Sequence, residues 1–417
     1  MTLTVVHARG RGGDAIEGYA HSDFSGVERT FRRQLRRTTG GAAVAVYHRG
    51  ELVVDLWGGR RTDDGDPWLA DTLAMCFSTT KGVTSTALHI LADRGLVDYD
   101  APVREYWPEF AQNGKEATTV RHVMSHAVGL HRLKPLVETA DDMLDWDHMV
   151  GALAAAKPAY EPGTSAGYHA LTYGWLVGEL IRRVSGQPIG AFIQEEIAGP
   201  LTLDGLYMGC PPGERRRVAP LAPIGIPRVG PQALKRAQNE VGRALAQVAS
   251  AFPLNPKRLL GAIVPRGMED VLYGHDIMDA EIPSANGFFT ARSLARMYAL
   301  LAGSGEIDGV RLLSPETVEQ AGRIQHTRRD RVLMVPMRWR LGYHMVFTTR
   351  GVLDGAFGHF GFGGSGAWCH PGHDLAVAMV CNRGTGTPLG DFRLSQLGTA
   401  ATAAAQGRDP EDLAVAS

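Results

Sequence analysis

Short apolar runs near the two ends of the chain predict β-strands. Ala42–Tyr47 and Leu52–Trp57 are joined through a turn that contains Gly50, and this arrangement predicts a β-hairpin. Close to the C-terminus, three more runs rich in apolar residues predict further strands: Arg340–Thr348, Gly366–His370 and Leu375–Cys381.

Helical patterns occupy much of the sequence between these runs. Ser25–Thr38 carries Phe31 and Leu35 among polar residues and ends before a pair of glycines. Thr290 is the predicted N-cap of a helix that begins at the next residue. Further helices are predicted over Lys81–Arg94, Val120–His126, Ala170–Ser185, Gln232–Ala249 and Phe392–Ala404.

Strands at both ends and helices in the middle predict an α+β fold. The economical arrangement is one antiparallel sheet built from the N- and C-terminal segments and flanked by helices, with a mainly helical lobe inserted between them. The predicted sheet lobe comprises residues 20–80 and 285–405, and the predicted helical lobe comprises residues 81–284. Residues 1–19 and 406–417 are predicted to be flexible ends.

An irregular segment interrupts the helical lobe at residues 210–231. It contains six prolines and the run Arg215-Arg216-Arg217, a composition typical of irregular surface structure. One interpretation is a solvated connection, and the other is a lid or wall over a substrate cleft. Both interpretations stay open at the level of sequence.

Composition and charge exclude several classes of protein. Hydrophobic residues make up 44% and charged residues 21% of the 417 positions, which is typical of a globular protein and excludes a disordered or coiled-coil chain. The net charge of −1 provides no overall field for nucleic acid or an anionic membrane. No run of about 18 apolar residues and no signal-peptide pattern occurs, so we expect a cytoplasmic protein without stable membrane insertion.

Cysteine and histidine spacings indicate neither a disulfide framework nor a zinc site. The four cysteines are scattered along the sequence, and no C-x-x-C pair is present. His122 and His126 are four residues apart, but Val123 stands where a zinc-binding H-E-x-x-H helix requires glutamate, which favours structural roles for both histidines. We therefore predict no metal ion and no cofactor.

A serine and a lysine with S-x-x-K spacing stand at the start of a predicted helix. Only six of the 43 cationic residues are lysines, and one of them, Lys81, lies three positions after Ser78. On a helix this spacing puts both side chains on one face, so that the amine can reach the hydroxyl. Burial lowers the pKa of a lysine and lets its amine accept a proton, which would activate Ser78 as a nucleophile.

Several segments around this pair resemble the serine β-lactamase superfamily. They are Phe77–Gly82 (FSTTKG), Leu91–Asp100 (LADRGLVDYD) and Val123–Leu130 (VMSHAVGL), and they occur in the order that the family has. The likeness runs from about residue 40 to residue 385 and is greatest to the class C β-lactamase-like carboxylesterases, the family VIII esterases. The resemblance implies the β-lactamase/transpeptidase-like fold and an acyl-enzyme formed on Ser78.

The resemblance also implies a second catalytic element. Tyr168-His169-Ala170 stands where the family has Y-x-N, so Tyr168 is implied as a catalytic residue, and whether it or Lys81 is the main base stays open. A lowered pKa is expected for Tyr168 because an ammonium group would lie beside its phenol. Ala170 replaces the Asn that helps hold the amide of a β-lactam, and this departure disfavours β-lactam substrates.

A third element, His359–Gly364 (HFGFGG), stands where lactamases carry K-T-G. The resemblance implies an edge strand along the cleft, with the N–H groups of Ser78 and Phe362 as the oxyanion hole and Gly361 allowing the substrate to approach the backbone. His359 is implied to tune the catalytic tyrosine or to contact the leaving group. The missing lysine of K-T-G favours neutral esters over penicillins.

Four further residues are secondary candidates. Asn286 lies in a loop that borders the cleft in relatives, and Phe360 and Trp368 would either line a hydrophobic acyl pocket or belong to the core. Ser165 lies in a G-x-S-x-G pattern, which is typical of the nucleophile elbow of α/β-hydrolases. Two prolines shortly before it argue against the central strand that such an elbow requires, so Ser165 is not the predicted nucleophile.

The function predicted from these residues is that of a serine carboxylesterase acting on a small-molecule ester. A β-lactamase or D-amino-acid peptidase of the same superfamily is the alternative, which the missing Asn and Lys disfavour. A non-enzymatic binding protein on the same fold is a third hypothesis, which the presence of Ser78, Lys81 and Tyr168 together disfavours. No pattern in the sequence indicates the oligomeric state or the acyl chain length.

Overall fold

Four ranges of the 417-residue chain are described by the computed structural model: residues 3–5, 15–221, 265–384 and 392–407. The predicted helix Gln232–Ala249 lies outside these ranges, as do residues 222–231 of the proline-rich segment and residues 408–417. Within the described ranges, no helix combines the length and the apolar character needed to cross a lipid bilayer.

Strands from the two ends of the chain meet in the central sheet. Thirteen strands are described, numbered along the chain: β1 Leu3–Val5, β2 Ile16–His21, β3 Gly41–His48, β4 Glu51–Gly59, β5 Ala74–Met75, β6 Leu206–Met208, β7 Gly287–Phe289, β8 Glu306–Ile307, β9 Val310–Arg311, β10 His344–Thr348, β11 Gly351–Phe360, β12 Gly366–His370 and β13 Leu375–Cys381. Eight of them form one antiparallel sheet in the order β1-β2-β4-β3-β13-β12-β11-β10. The predicted α+β architecture is confirmed, because β3 pairs directly with β13.

Both faces of this sheet are buried. Along β13, the side chains of Leu375, Val377 and Met379 pack on one face, whereas those of Ala376 and Ala378 pack on the other. This alternation follows from the side-chain period of two in a strand. The sheet is therefore a middle layer with helices on each side.

Ten α-helices occur in the described ranges. They are α1 Ser25–Leu35, α2 Thr80–Asp93, α3 Val120–Met124, α4 Trp146–Ala155, α5 Thr172–Ser185, α6 Ile189–Ile193, α7 Met268–Tyr273, α8 Ala291–Ala302, α9 Pro315–Gly322 and α10 Phe392–Ala405. Helices α1 and α10 pack together on one face of the sheet, and α8 packs against β3, β12 and β13 on the other.

Helix α2 is enclosed along most of its length. Every residue from Thr80 to Leu91 is buried, although several of the side chains are polar. A Cβ atom placed on Gly82 would lie 2.0 Å from the hydroxyl oxygen of Tyr298 in α8, so the absence of a side chain makes room for the phenol of Tyr298 against α2. The helix that carries Lys81 of the S-x-x-K motif is therefore a central core element.

Several predicted elements are present with small shifts at their ends. The predicted hairpin is formed by β3 and β4, and the predicted helix from residue 81 is α2. The predicted N-cap of α8 is confirmed, because Thr290 Oγ1 accepts a hydrogen bond from the amide of Ser293 at 3.2 Å.

Two sequence predictions about strands are wrong. In the segment 1–19, which is predicted to be a flexible end, residues 3–5 form β1 and residues 16–19 begin β2. Burial of Ile16 and Ala20 in the core ties β2 to the sheet. The segment that carries His359 is not an edge strand, because β11 pairs with β10 on one side and with β12 on the other. The many glycines of β11 weaken the strand pattern in the sequence.

Replacement of Gly82 by Ala is expected to destabilise the protein by about 1–3 kcal/mol, because the added methyl group meets Tyr298 in a closely packed core. Gly151→Ala in α4 is the matched control, since nothing lies within 4 Å of its added Cβ. That variant is expected to gain about 0.5–1 kcal/mol from helix propensity. Urea unfolding of both variants measures the two signs, and a stabilised Gly82→Ala protein would contradict the packing described for α2.

Candidate active site

Ser78 lies in a tight turn that leads into α2. Phe77–Thr79 form a single 3-10 turn after β5, and α2 begins at Thr80. The backbone φ of Phe77 is +44°, in the left-handed region that bulky residues rarely adopt. This strained conformation precedes a half-buried Ser78 at the start of the helix.

Lys81 reaches Ser78 one turn along the helix, as the S-x-x-K spacing predicts. Its Nζ atom lies 3.0 Å from Ser78 Oγ, 2.6 Å from the carbonyl oxygen of Ala170 and 3.0 Å from that of Ser284. The side chain is fully buried, and burial lowers the pKa of Lys81 well below its usual value. The neutral amine is therefore the form that this environment favours.

The two carbonyl contacts set the direction of the Lys81 lone pair. A neutral amine has two N–H donors, and carbonyl oxygens only accept, so Ala170 and Ser284 take both donors. In the neutral amine the lone pair would then face Ser78 Oγ, 3.0 Å away, where it could take the proton of the serine hydroxyl. Lys81 is thereby aligned as a base for this serine.

The loop that supplies the Ser284 carbonyl is fastened to α2 on both sides of the lysine. Thr80 Oγ1 accepts a hydrogen bond from the amide of Gly287 at 3.0 Å. Thr84 Oγ1 donates to the carbonyl of Pro283 at 2.7 Å. These two bonds hold the loop at the distance that the lysine amine requires.

Asn286 braces this loop from within and does not face a substrate. Its buried side chain accepts a hydrogen bond from the amide of Ile282 at 2.8 Å and donates to the carbonyls of Ile277 and Ala280 at 2.8 and 2.7 Å. Both of its N–H groups are thus used inside its own loop. The prediction that Asn286 contacts the substrate is wrong, and the residue instead shapes the loop that carries the Ser284 carbonyl.

Tyr168 approaches Ser78 from another side. Its hydroxyl donates a hydrogen bond to Ser78 Oγ at 2.8 Å, and the Nζ atom of Lys81 lies 5.2 Å from the centre of its ring. Burial raises the pKa of Tyr168, so the predicted lowering is wrong. Burial also disfavours the ammonium form of Lys81, which would have stabilised a phenolate. The phenol is therefore a proton donor in this arrangement.

The loop after β11 packs against the nucleophile turn. A Cβ atom on Gly361 would lie 2.3 Å from the carbonyl oxygen of Cys76, so glycine is required for this close approach of two backbone segments. The rings of Phe77 and Phe362 pack edge to face, with centroids 5.6 Å apart. The structure thus brings together the two segments that carry the predicted oxyanion-hole donors, the N–H groups of Ser78 and Phe362.

His359 packs against Tyr168, in surroundings that favour its uncharged ring. The rings of His359 and Tyr168 stack with centroids 6.2 Å apart, and Nδ1 of His359 donates to the carbonyl of Phe360 at 3.1 Å. Burial holds the pKa of His359 well below its usual value, and the neighbouring His344 acts in the same direction. His359 therefore supplies no fixed cation for a substrate carboxylate.

Phe360 and Trp368 lie away from this centre. Both side chains are buried on the sheet face that α1 and α10 cover. Because successive residues of a strand point to opposite faces, Phe360 and His359 project in opposite directions. The acyl-pocket prediction for Phe360 and Trp368 is wrong, and both belong to the core.

The two other motifs found in the sequence do not form reactive groups here. Ser165 lies in an irregular stretch with no strand before it. His122 Nδ1 accepts a hydrogen bond from the amide of Thr119 at the start of α3, and His126 Nδ1 accepts one from the amide of His169. No group of His, Cys, Asp and Glu suited to a metal ion is present in the described part of the chain.

Two residues that contact Tyr168 have no distinctive sequence signal. Asp330 accepts a hydrogen bond from the amide of Tyr168 at 3.1 Å, and the ring of Trp339 stacks on the phenol ring. Asp330 stands in the run Arg328–Arg331, a composition that in sequence is typical of an exposed charged stretch. The backbone carbonyls that contact Lys81 also give no signal in the sequence, because every residue has a backbone carbonyl.

Comparison with known proteins identifies the family. The Beta-lactamase family model matches residues 27–400 of the chain. Esterase/beta-lactamase LipL of Mycobacterium tuberculosis (strain ATCC 25618 / H37Rv) is 43% identical over 377 residues, which cover 89% of this chain and 84% of LipL.

Solved structures agree with this match. A crystal structure of a family VIII carboxylesterase superposes with a TM-score of 0.81 at 33% identity, covering 93% of this chain and 99% of that chain. A penicillin-binding protein homolog from Caulobacter crescentus superposes with a TM-score of 0.79 at 35% identity, covering 93% and 99%. Together with the Ser78–Lys81–Tyr168 centre, these matches show that the chain belongs to the β-lactamase family and is a serine hydrolase of that superfamily.

Proposed function

We propose that this protein is a serine carboxylesterase that hydrolyses neutral small-molecule esters through an acyl-enzyme on Ser78. The observation that carries the proposal is the buried Lys81 amine, whose Nζ atom binds two backbone carbonyls and lies 3.0 Å from Ser78 Oγ. An adjacent base of this kind activates a serine for attack on a carbonyl carbon.

Acylation begins when Lys81 takes the proton of Ser78 as Oγ attacks the ester carbonyl carbon. The carbonyl oxygen acquires the negative charge, and the proposed oxyanion hole, the N–H groups of Ser78 and Phe362, donates hydrogen bonds to it. The bond to the alcohol oxygen then breaks. Tyr168 gives its proton to the departing alcohol and recovers one from the Lys81 ammonium, which returns both groups to their starting forms.

Deacylation again uses Lys81 as the base, with a water molecule as the nucleophile and Ser78 as the leaving group. The neutral Lys81 amine takes a proton from a water molecule as the water oxygen attacks the acyl carbon. The bond from the acyl carbon to Ser78 Oγ breaks, the serine oxygen regains a proton from Lys81, and the carboxylic acid leaves. Each step leaves Lys81 neutral for the next, as its burial favours.

The substrate class is proposed from what the centre lacks as well as from what it contains. Ala170 has no side-chain amide for a β-lactam, and the buried, neutral His359 provides no cation for a penicillin carboxylate. The printed names of the relatives, esterase/beta-lactamase and family VIII carboxylesterase, support ester hydrolysis. The proposed compartment is the cytoplasm, and the buried thiols of Cys76, Cys210 and Cys369 suit a reducing environment.

Replacement of Ser78 by Ala is expected to lower kcat/KM for p-nitrophenyl esters about 10³-fold or more, because the nucleophile is lost. A panel of esters of increasing acyl length measures the activity and the chain-length preference together. Ser165→Ala is the matched control and is expected to keep wild-type activity. Full activity of the Ser78 variant, or loss of activity in the Ser165 variant, would contradict the assignment of the nucleophile.

Nitrocefin is expected to be a poorer substrate than the esters for the wild-type enzyme. The reason is that neither an amide side chain at position 170 nor a charged group at position 359 is available to bind it. Comparison of kcat/KM for nitrocefin and for the preferred ester measures this difference. Equal values would favour the β-lactamase alternative.

Lys81→Arg is expected to lower kcat/KM about 10²- to 10⁴-fold, because a guanidinium stays protonated and cannot serve as a base. In the wild type, kcat/KM is expected to fall toward acid pH as Lys81 gains a proton. This limb should lie well below the pH at which an exposed lysine titrates, since burial lowers the Lys81 pKa. The pH dependence of kcat/KM measures both effects.

Lys115→Arg is the matched control for this experiment. Lys115 is also buried, and its amine donates hydrogen bonds to the carbonyls of Gln112 and Ala154 at 2.9 and 3.0 Å. This variant is expected to keep the acid limb of the wild type. A limb that shifts with Lys115, or that is unchanged in an active Lys81→Arg enzyme, would assign the base elsewhere.

A further inference from the structure

A buried carboxylate holds the backbone of Tyr168. Asp330 is 0% exposed, and its Oδ1 atom accepts hydrogen bonds from three amides, those of Tyr168 at 3.1 Å and of Val332 and Leu333 at 2.8 Å each. A carboxylate is costly to bury unless its oxygens are hydrogen-bonded, so these contacts strongly restrain the groups that make them.

The second oxygen of the same carboxylate orients an aromatic ring. Oδ2 of Asp330 accepts a hydrogen bond from Nε1 of Trp339 at 3.1 Å. The indole is almost fully buried and stacks on the phenol of Tyr168, with centroids 5.6 Å apart and an angle of 13° between the planes. Asp330 therefore acts on Tyr168 twice, at its backbone and through the ring that covers its phenol.

His126 packs against the same pair of rings. Its ring centroid lies 5.2 Å from that of Tyr168 and 4.2 Å from that of Trp339. Its Nδ1 atom accepts a hydrogen bond from the amide of His169 at 3.1 Å. Two consecutive amides, at 168 and 169, are thus each bound by a buried side chain, which leaves this backbone little freedom.

The four groups that bind Asp330 come from separate parts of the chain. One amide belongs to residue 168, two belong to residues 332 and 333, and the indole belongs to residue 339. An acceptor with two oxygens is needed to satisfy all of them. The carboxylate is therefore the link that sets the distance between the segment of Tyr168 and the segment of Trp339.

We propose that Asp330 is a positioning residue for the hydrolytic reaction, which sets the place and the plane of the Tyr168 phenol so that its hydroxyl reaches Ser78 Oγ. The inference deepens the proposed function, and it rests on that function for the role of Tyr168. A hydrogen bond weakens steeply when its donor turns away from the acceptor. A displacement of about 1 Å at a reacting group can lower a rate about 10²-fold.

Two conservative substitutions and their combination test the proposal. Asp330→Asn keeps an acceptor oxygen for the three amides but turns an NH₂ group toward the indole N–H. Trp339→Phe keeps an aromatic ring on the phenol but removes the donor to Asp330. Each is expected to lower kcat about 10- to 100-fold with little change in KM, because the phenol is misplaced while the rest of the cleft is intact.

The double variant provides a signature that loss of stability alone would not give. Trp339→Phe removes the donor that opposes the new NH₂ group, so the combined loss in kcat is expected to be smaller than the product of the two single losses. The rate of Ser78 labelling by a fluorophosphonate should follow the same order. Labelling needs no ester turnover, so it tests the positioning role even if the esterase proposal fails.

Trp146→Phe is the matched control. The indole of Trp146 donates to the buried carboxylate of Glu179 at 3.0 Å, the same type of bond placed between α4 and α5. This variant is expected to lower Tm while kcat and the labelling rate stay within about threefold of wild type. If Trp339→Phe and any folded Asp330→Asn protein behave in the same way as Trp146→Phe, Asp330 has only a structural role and the proposal is overturned.

Discussion

The buried amine of Lys81 is the interaction on which the rest of the active centre depends. A charged lysine at this place would present a proton to Ser78, whereas a neutral amine can take one. Burial decides between the two forms, and the carbonyls of Ala170 and Ser284 then decide where the lone pair points. The burial that disfavours the ammonium form of Lys81 also favours the protonated phenol of Tyr168, because it raises the pKa of this tyrosine. The burial of Lys81 thus explains why we propose this lysine as the base of the centre and Tyr168 as its acid.

The fold provides this burial because helix α2, which begins just after Ser78, lies in the core. Helix α2 receives the phenol of Tyr298 from α8 at Gly82, which has no side chain of its own, and the loop that ends at Gly287 is hydrogen-bonded to the first turns of α2. The second half of the centre is assembled differently. Tyr168 belongs to an irregular stretch, and buried polar side chains, above all Asp330, supply the order that a helix or strand would otherwise supply. The two halves meet at Ser78 Oγ, which contacts both Lys81 and Tyr168.

Local patterns predicted that Ser78 and Lys81 lie side by side, but they predicted the surroundings of this pair poorly. The spacing of Ser78 and Lys81 depends only on helix geometry, which holds wherever the helix packs. The direction of the Tyr168 pKa shift was predicted wrongly because it depends on the charge of Lys81, and that charge depends on burial by distant segments. Asn286 has the right position in the chain to border a cleft, but its amide is used by its own loop.

By itself, the sequence determined the family, the α+β class and the antiparallel sheet formed from both ends of the chain, and it predicted Ser78 as the nucleophile with Lys81 beside it. The family follows from the resemblance of several segments to known proteins, whereas the strands, the helices and the Ser78–Lys81 pair follow from periodicity and short-range spacing, which are properties of a linear chain. Tertiary structure alone decided the directions of the pKa shifts of Lys81 and Tyr168, the side of the sheet on which Phe360 lies, and the contacts that Asp330 and Trp339 make with Tyr168. These properties arise from burial and from contacts between residues more than a hundred positions apart, such as the hydrogen bond between the Tyr168 amide and Asp330. Neither the burial of a particular side chain nor a contact between distant residues can be recognised from a periodic pattern in the amino-acid sequence.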